Sequence, residues 1–324
     1  MSVNIKRRLR PGRKLVIGIP YVWLLLLFLI PFFIVIKISL AEQDVKIPPY
    51  TDLIVSDPET GRQTLHIVMQ NYQEIFQNFG TTLSQMAGFS PLDGSSNMYL
   101  RTYWSSLKVA FTTTLICLLI GYPMAYAIAR ANPAYRNGLL LAIMLPFWTS
   151  LLLRVYAWMG LLSSNGIINT LLMKYGLVGE PLDMFYNSFS LHLVMVYVYL
   201  PFMVLPLYAQ LIKLDHRLLE AASDLGAGPV KSFFAITLPL SKTGIIAGSM
   251  LVFVPAVGEF VIPDLVGGSD NLMIGKVLWT TFFEQGNWPL ASALAVVMVL
   301  LLVVPITLYQ RYESRQLEEG GKNG

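Results

Sequence analysis

Six stretches of this chain, at 15–40, 104–129, 138–159, 189–212, 243–263 and 288–309, are nearly unbroken runs of apolar side chains. A helix crossing a hydrocarbon core of ~30 Å needs about 20 such residues, because lipid offers no partner for a free amide. The pattern predicts an all-α integral membrane protein with six transmembrane helices. Composition agrees, since 55% of the 324 residues are apolar and only 13% are charged. A water-soluble domain carries about 25% charged residues, so half that share leaves too little to build a hydrated shell.

The placement of lysine and arginine sets the expected orientation. Lys6, Arg7, Arg8, Arg10, Arg13 and Lys14 precede the first run, Arg130 and Arg136 follow the second, Lys213, Arg217, Lys231 and Lys242 lie between the fourth and fifth, and Arg311, Arg315 and Lys322 follow the sixth. The opposite side holds only Lys46, Arg62, Arg101, Lys174 and Lys276. Both termini are therefore expected in the cytoplasm. The net charge of +4 follows this topological pattern and does not point to nucleic acid. The basic start and Ser39-Leu40-Ala41 have the outline of a cleavable export signal. However, the run from Leu15 to Leu40 exceeds the ~7–15 residues of a signal core, so a retained helix is expected.

The chain then divides into a basic tail (1–14), a first helix (15–40), an extracytoplasmic loop (41–103), a five-helix core (104–309) with a cytoplasmic loop at 213–242, and a second cytoplasmic tail (310–324). The loop at 41–103 carries Glu42, Asp44, Asp52, Asp57, Glu59, Glu74 and Asp93, with turn formers Pro48-Pro49 and Asp57-Pro58. Two roles stay open for it, a cap over the helices and a docking surface for an external protein.

Catalytic signatures are missing. Gly275-Lys276 is followed by Val277, and Asp270 stands where a phosphate-binding loop needs its first glycine, so no ATP site is encoded. His66, His192 and His216 have no ligand spacing, and the single Cys117 excludes an internal disulfide or a multi-thiolate metal site. No metal site is read from the chain.

The loop at 213–242 is the most informative. Leu218, Ala221, Ala222 and Leu225 recur at helical spacing and form one apolar stripe. Gly226 is placed to cap that short helix in the left-handed region, and Pro229 to open a second one. A short amphipathic helix on the water side has something to dock against.

The combination Glu220-Ala221-Ala222, Gly226, and Ile236 followed by Leu238-Pro239 resembles the cytoplasmic loop of permease subunits of ABC-type importers. Further stretches resemble the permeases of spermidine/putrescine importers, and most of all the first of the two permeases in putrescine systems. These stretches are Pro146-Phe147-Trp148-Thr149-Ser150, Arg154-Val155-Tyr156-Ala157-Trp158, the segment from Pro255 to Pro263, and Ile47-Pro48-Pro49-Tyr50-Thr51. The resemblance implies the type I importer (MetI-like) architecture and a transport subunit that is not an enzyme. It implies a heterodimer with a second, related permease, two ATPase subunits that hold the ATP and Mg, and an extracytoplasmic polyamine-binding protein, with no cofactor in this chain. Glu220, Ala221, Ala222, Gly226, Ile236, Leu238 and Pro239 then become the ATPase-coupling residues, carried by the helix at 216–226.

Four charges fall inside the predicted spans. Lys37 and Lys108 lie near the outer ends, where lysine can snorkel. Arg154 and Glu259 each lie about 16 residues along their spans, roughly 24 Å from the cytoplasmic end at 1.5 Å per residue. A lone charge at the helix centre costs at least ~2.5–3.5 kcal/mol, so two arrangements are expected. Either the two pair with each other, or Glu259 faces a cationic substrate with Asp264 at the outer mouth and Trp148, Tyr156 and Trp158 as aromatic partners. Arg154 alone favours an anion, which keeps a permease for an inorganic anion, or for ferric iron, as a rival. A gradient-driven secondary transporter is the other rival. Gly244 and Gly248 form a small-residue pair that permits close helix approach.

Overall fold

The computed structural model describes residues 11–56, 63–88, 96–269 and 271–320. Lys6, Arg7, Arg8, Arg10, the Asp57-Pro58 turn, Glu59, Arg62, Asp93, Asp270 and Lys322 lie outside the described residues. In chain order the helices are α1 (Pro11–Ser39), α2 (Gln70–Phe76), α3 (Phe79–Met86), α4 (Met98–Arg130), α5 (Pro133–Met144), α6 (Leu151–Leu162), α7 (Ile167–Lys174), α8 (Ser188–Leu211), α9 (His216–Asp224), α10 (Pro229–Ser232), α11 (Leu238–Leu240), α12 (Lys242–Val257), α13 (Val261–Val266), α14 (Ile274–Trp279) and α15 (Trp288–Gly320). Two short strands, β1 (Ile54–Ser56) and β2 (Gln63–Leu65), pair antiparallel with Ile54 opposite Leu65.

Four helical stretches among the described residues are long and apolar enough to cross a bilayer: Val16–Ser39, Met98–Arg130, Leu151–Lys174 and Ser188–Leu211. The pair Pro229–Leu240 and Lys242–Val257, bent by 64°, gives a fifth if taken as one span, and Trp288–Val304 is apolar but shorter. The third expected run does not form one helix. Its 138–159 stretch is divided among α5, a 3-10 turn at Leu145–Trp148 and α6. Pro146 stands in that turn, and the Thr149 hydroxyl donates to the Pro146 carbonyl at 2.8 Å, which closes it.

The chain forms two compact units. In the unit Met1–Gln77 with Thr280–Gly324, α1 packs along α15, and α2 also meets α15. The Asn71 amide fastens α2 to the end of α1 by donating to the carbonyls of Ser39 (3.1 Å) and Ala41 (2.9 Å). Most of α1 from Val16 to Phe33 is exposed, which suits a helix whose solvent is lipid.

In the unit Asn78–Trp279, α4, α8 and α12 pack on one another around Ala110, Cys117, Ala125, Met195, Met203, Leu207, Val252 and Ala256, all fully buried. Glycines set the spacing. A Cβ on Gly248 would lie 2.8 Å from Met203 Sδ, and one on Gly244 would lie 3.0 Å from the Pro206 carbonyl. The small-residue pair therefore seats α12 on α8. Of the three, α4 and α8 start on side-chain caps. The Asn97 carboxamide accepts from Tyr99 N (2.9 Å) at α4, and Asn187 and Ser190 cap α8 reciprocally.

Candidate functional site

Two places in the second unit carry the residues singled out in the sequence. The first is the segment after α8. Asp215 caps α9 by accepting from Arg217 N at 3.0 Å. The helix ends on Gly226 at φ +78°, with Gly226 N donating to Ser223 O and Ala227 N donating to Ala222 O, both at 2.9 Å. That 6→1 and 5→2 pair is a Schellman cap, which favours glycine at this position. Gly228 and Pro229 then open α10 as expected. The apolar stripe of α9 faces two ways. Leu219 and Ala222 are half-buried, whereas Leu218 and Ala221 are exposed, as is Leu225 (89%) at the helix end. Glu220 is exposed beside them.

The continuation from α10 to α12 is tied down. Phe233 meets Tyr122 edge-on at 5.6 Å and Tyr126 at 6.2 Å. The Gln210 amide donates to Leu240 O at 3.2 Å, and the Tyr122 and Ser241 hydroxyls share a 2.8 Å hydrogen bond. Ile236 and Leu238 are half-buried in this stretch and Pro239 is exposed. A freely presented helix thus runs into an anchored elbow.

The second place is the break between α12 and α13. Glu259 sits outside both helices. Its Oε2 accepts from the Tyr199 hydroxyl at 2.6 Å, and its Oε1 accepts from Val261 N at 3.1 Å, so the carboxylate also caps α13. Across the break, a Cβ at Gly275 would run into the carbonyl oxygens of Gly258 and Glu259. Only a glycine lets α14 approach so closely. Phe260 stacks on Trp279 at 4.7 Å, and Asp264 pairs with Lys276 at 2.9 Å.

Among the described residues no ion pair joins Arg154 to Glu259, which corrects the paired alternative. The Arg154 guanidinium instead lies 5.4 Å above the Phe147 ring, and its Nε and Nη1 are buried without a hydrogen-bond partner. Phe147 meets Phe202 edge-on at 5.0 Å, and Phe202 lies 6.2 Å from Tyr199, so a row of rings separates the two charges. Trp158 packs edge-on against Tyr197 at 5.5 Å. Trp148 and Tyr156 are exposed.

Residues 118–318 match the family described as binding-protein-dependent transport system inner membrane component. The chain belongs to this family. It is a multi-pass inner-membrane transport component and not an enzyme. It is 36% identical over 299 residues, 92% of this chain and 93% of the relative, to the spermidine/putrescine transport system permease protein PotB of Haemophilus influenzae. The PotB of Escherichia coli is 38% identical over 214 residues, 66% of this chain and 78% of the relative. In fold, the permease is similar to a chain in the crystal structure of a bacterial ABC transporter involved in the import of the acidic polysaccharide alginate. That match has a TM-score of 0.63 at 15% identity and covers 94% of this chain and 96% of the other.

Both candidate places lie inside the matched region of this transport component. Sequence reasoning missed Tyr199 and Lys276. Tyr199 is hidden in the continuous apolar run of α8, where its only signal is a hydroxyl that a buried tyrosine has to satisfy. In sequence Lys276 is one of the few bases on the outer side, and its bond to Asp264 leaves that carboxylate already compensated.

Proposed function

We propose that this chain is the permease subunit of an ATP-driven polyamine importer that takes putrescine or spermidine. The observation that carries the reading is the likeness to permeases named for spermidine and putrescine, which spans nearly the whole of both chains. The chemistry of the α12–α13 break supports it. Glu259 has hydrogen-bond donors around it but, among the described residues, no cationic partner, and the Phe260–Trp279 stack lies beside it. A polycation is bound by carboxylate and ring faces. In this reading Glu259 leads the substrate pathway, with Arg154, Asp264, Trp148, Tyr156 and Trp158 along it.

The assembly proposed is a heterodimer with a second, related permease, two cytoplasmic ATPase subunits that bind ATP and Mg, and an extracytoplasmic polyamine-binding protein that meets the side bearing 41–103. Both termini are cytoplasmic. The α9 helix enters the ATPase, with Glu220, Ala221, Ala222 and Gly226 at the contact and Ile236, Leu238 and Pro239 in the elbow behind it. A nucleotide shifts a two-state equilibrium only through a difference in affinity between the states. The exposed α9 face supplies that difference if its docking changes when the ATPases close.

The orphaned donors of Arg154 favour a second reading, a permease of this family for an inorganic anion. Uptake into vesicles that hold the reconstituted transporter and binding protein decides between the two. ATP-dependent accumulation of labelled putrescine or spermidine, unaffected by ionophores, is expected. Accumulation of phosphate or ferric iron instead, or uptake abolished by ionophores, overturns the reading.

A further inference from the structure

A cavity of about 420 Å³ lies at the start of α4 between that helix, α3 and α8. This volume is within the range of small-molecule sites. Its charged lining is cationic. Arg101 and Lys108 supply it from α4, the hydroxyls of Ser105 and Thr112 on the same helix line it with them, His192 faces it from α8, and no carboxylate lines it among the described residues. Among the described residues the Arg101 guanidinium reaches the Ser96 hydroxyl, at 3.4 Å, and neither Arg101 nor Lys108 has an ion pair. His192 keeps its Nδ1 on the Ser188 carbonyl at 2.7 Å. A carbonyl only accepts, so that nitrogen carries the hydrogen.

The depth of the cavity identifies the ligand. At 33 residues, α4 is about 50 Å long, some 20 Å more than the hydrocarbon core. The apolar run read in the sequence starts at 104, so the turn before it, which carries Arg101, stands at the headgroup end of the span, where Trp104, exposed on the same face, is a natural anchor. Arg101 and Lys108 are seven residues apart, two helical turns, so they face the same way with about 10 Å between them along the axis. One cation stands at headgroup level and the other just below it, both beside hydroxyls. A cavity of this charge repels a polycation, so it is not a subsite for the proposed cargo, and the inference stands whatever the permease carries.

We propose that this cavity binds the phosphodiester headgroup of an anionic phospholipid. Lysine and arginine hold phosphate through charge-assisted hydrogen bonds, and lipid phosphate is the anion abundant at that depth. The test is native mass spectrometry on the assembled transporter, with phosphatidylglycerol or phosphatidylcholine added and inorganic phosphate as competitor. Wild-type protein should retain phosphatidylglycerol preferentially, and phosphate should not displace it. Removing both cations with Arg101→Gln and Lys108→Gln should weaken retention roughly tenfold or more, and Lys108→Arg should keep it. Equal retention of the two lipids by wild-type protein overturns the proposal without recourse to any variant. So does full retention by the doubly substituted protein. Displacement by inorganic phosphate assigns the site to the free ion and overturns the lipid.

Discussion

The α4–α8–α12 core and the α9 segment treat their apolar side chains in opposite ways. In the core, apolar contact and polar groups are both consumed inside the chain: Cys117 points its thiol at the Val196 carbonyl, Tyr122 shares a hydrogen bond with Ser241, and Ile274 N donates to the Ser106 hydroxyl at 2.7 Å. In α9 only the polar groups are satisfied within the segment, by Asp215 at one end and the Gly226 cap at the other, while Leu218 and Leu225 face outward. The core is complete as it stands, and under the proposed function the ATPase finishes the α9 surface. Stability and coupling should therefore be separable by mutation, which the following substitutions test from the largest expected effect on the stability of the core to the smallest.

Gly248→Leu strikes the core where a single Cβ already meets Met203. Overpacking of this kind costs about 3 kcal/mol or more when backbone blocks the relaxation, so a clear fall in the thermal unfolding midpoint and in the yield of assembled transporter is expected. Gly160, whose Cβ direction is open, is the control. Gly160→Ala should be neutral or stabilising by up to ~1 kcal/mol. Equal damage from both would mean that close helix approach is not what holds α8 and α12 together.

Glu259→Gln removes the charge and leaves one acceptor oxygen, which can serve the α13 amide while the new NH2 donates to the Tyr199 oxygen. A hydrogen bond to a charged group contributes about 1.5–3 kcal/mol and a neutral one ~1, so the expected loss of stability is on the order of 1 kcal/mol. Transport should suffer more, since the proposed cation loses its counter-charge. Uptake at sub-saturating polyamine is expected to fall tenfold or more, as about 1.4 kcal/mol per decade implies. Unchanged uptake together with unchanged transport-linked ATPase activity removes Glu259 from the pathway.

Much of this was legible in advance, and the failures share a cause. Apolar runs reveal helices that satisfy their own amides, so the long spans at α1, α4 and α8 could be read directly. A run does not reveal where the axis turns. Pro146 with Thr149 breaks the third stretch, and the gap between α12 and α13 divides the fifth; a proline in a membrane helix is compatible with continuity as well as with a turn, and Pro201 and Pro206 lie inside an intact α8. The Gly226 cap was readable because the left-handed conformation has a residue preference of its own. The Tyr199 bond was not, since its partner lies 60 residues away, and neither was the Lys276 bond, which depends on how the loop between α13 and α14 turns.

Gly226→Val tests the cap. At φ +78° a β-branched residue is strained, at about 1–3 kcal/mol, and because nothing lies within 4 Å of its Cβ direction that strain is confined to the end of α9. The unfolding midpoint of the core should hardly move, while the ratio of polyamine imported to ATP hydrolysed should drop.

The smallest effect on stability carries the most information. Leu225 is 89% exposed, so in the isolated chain Leu225→Asp loses almost no buried area, and a surface change of this kind stays within about ±0.5 kcal/mol. Against a partner the same substitution places a carboxylate in an apolar contact, where an unpaired charge is costly. The purified permease should therefore unfold as the wild type does, whereas co-purification with the ATPase subunits should weaken and ATP-driven uptake should fail. If the ATPases still bind and uptake persists, the outward face of α9 is an ordinary wet surface, and the contrast with the core reduces to one of burial alone.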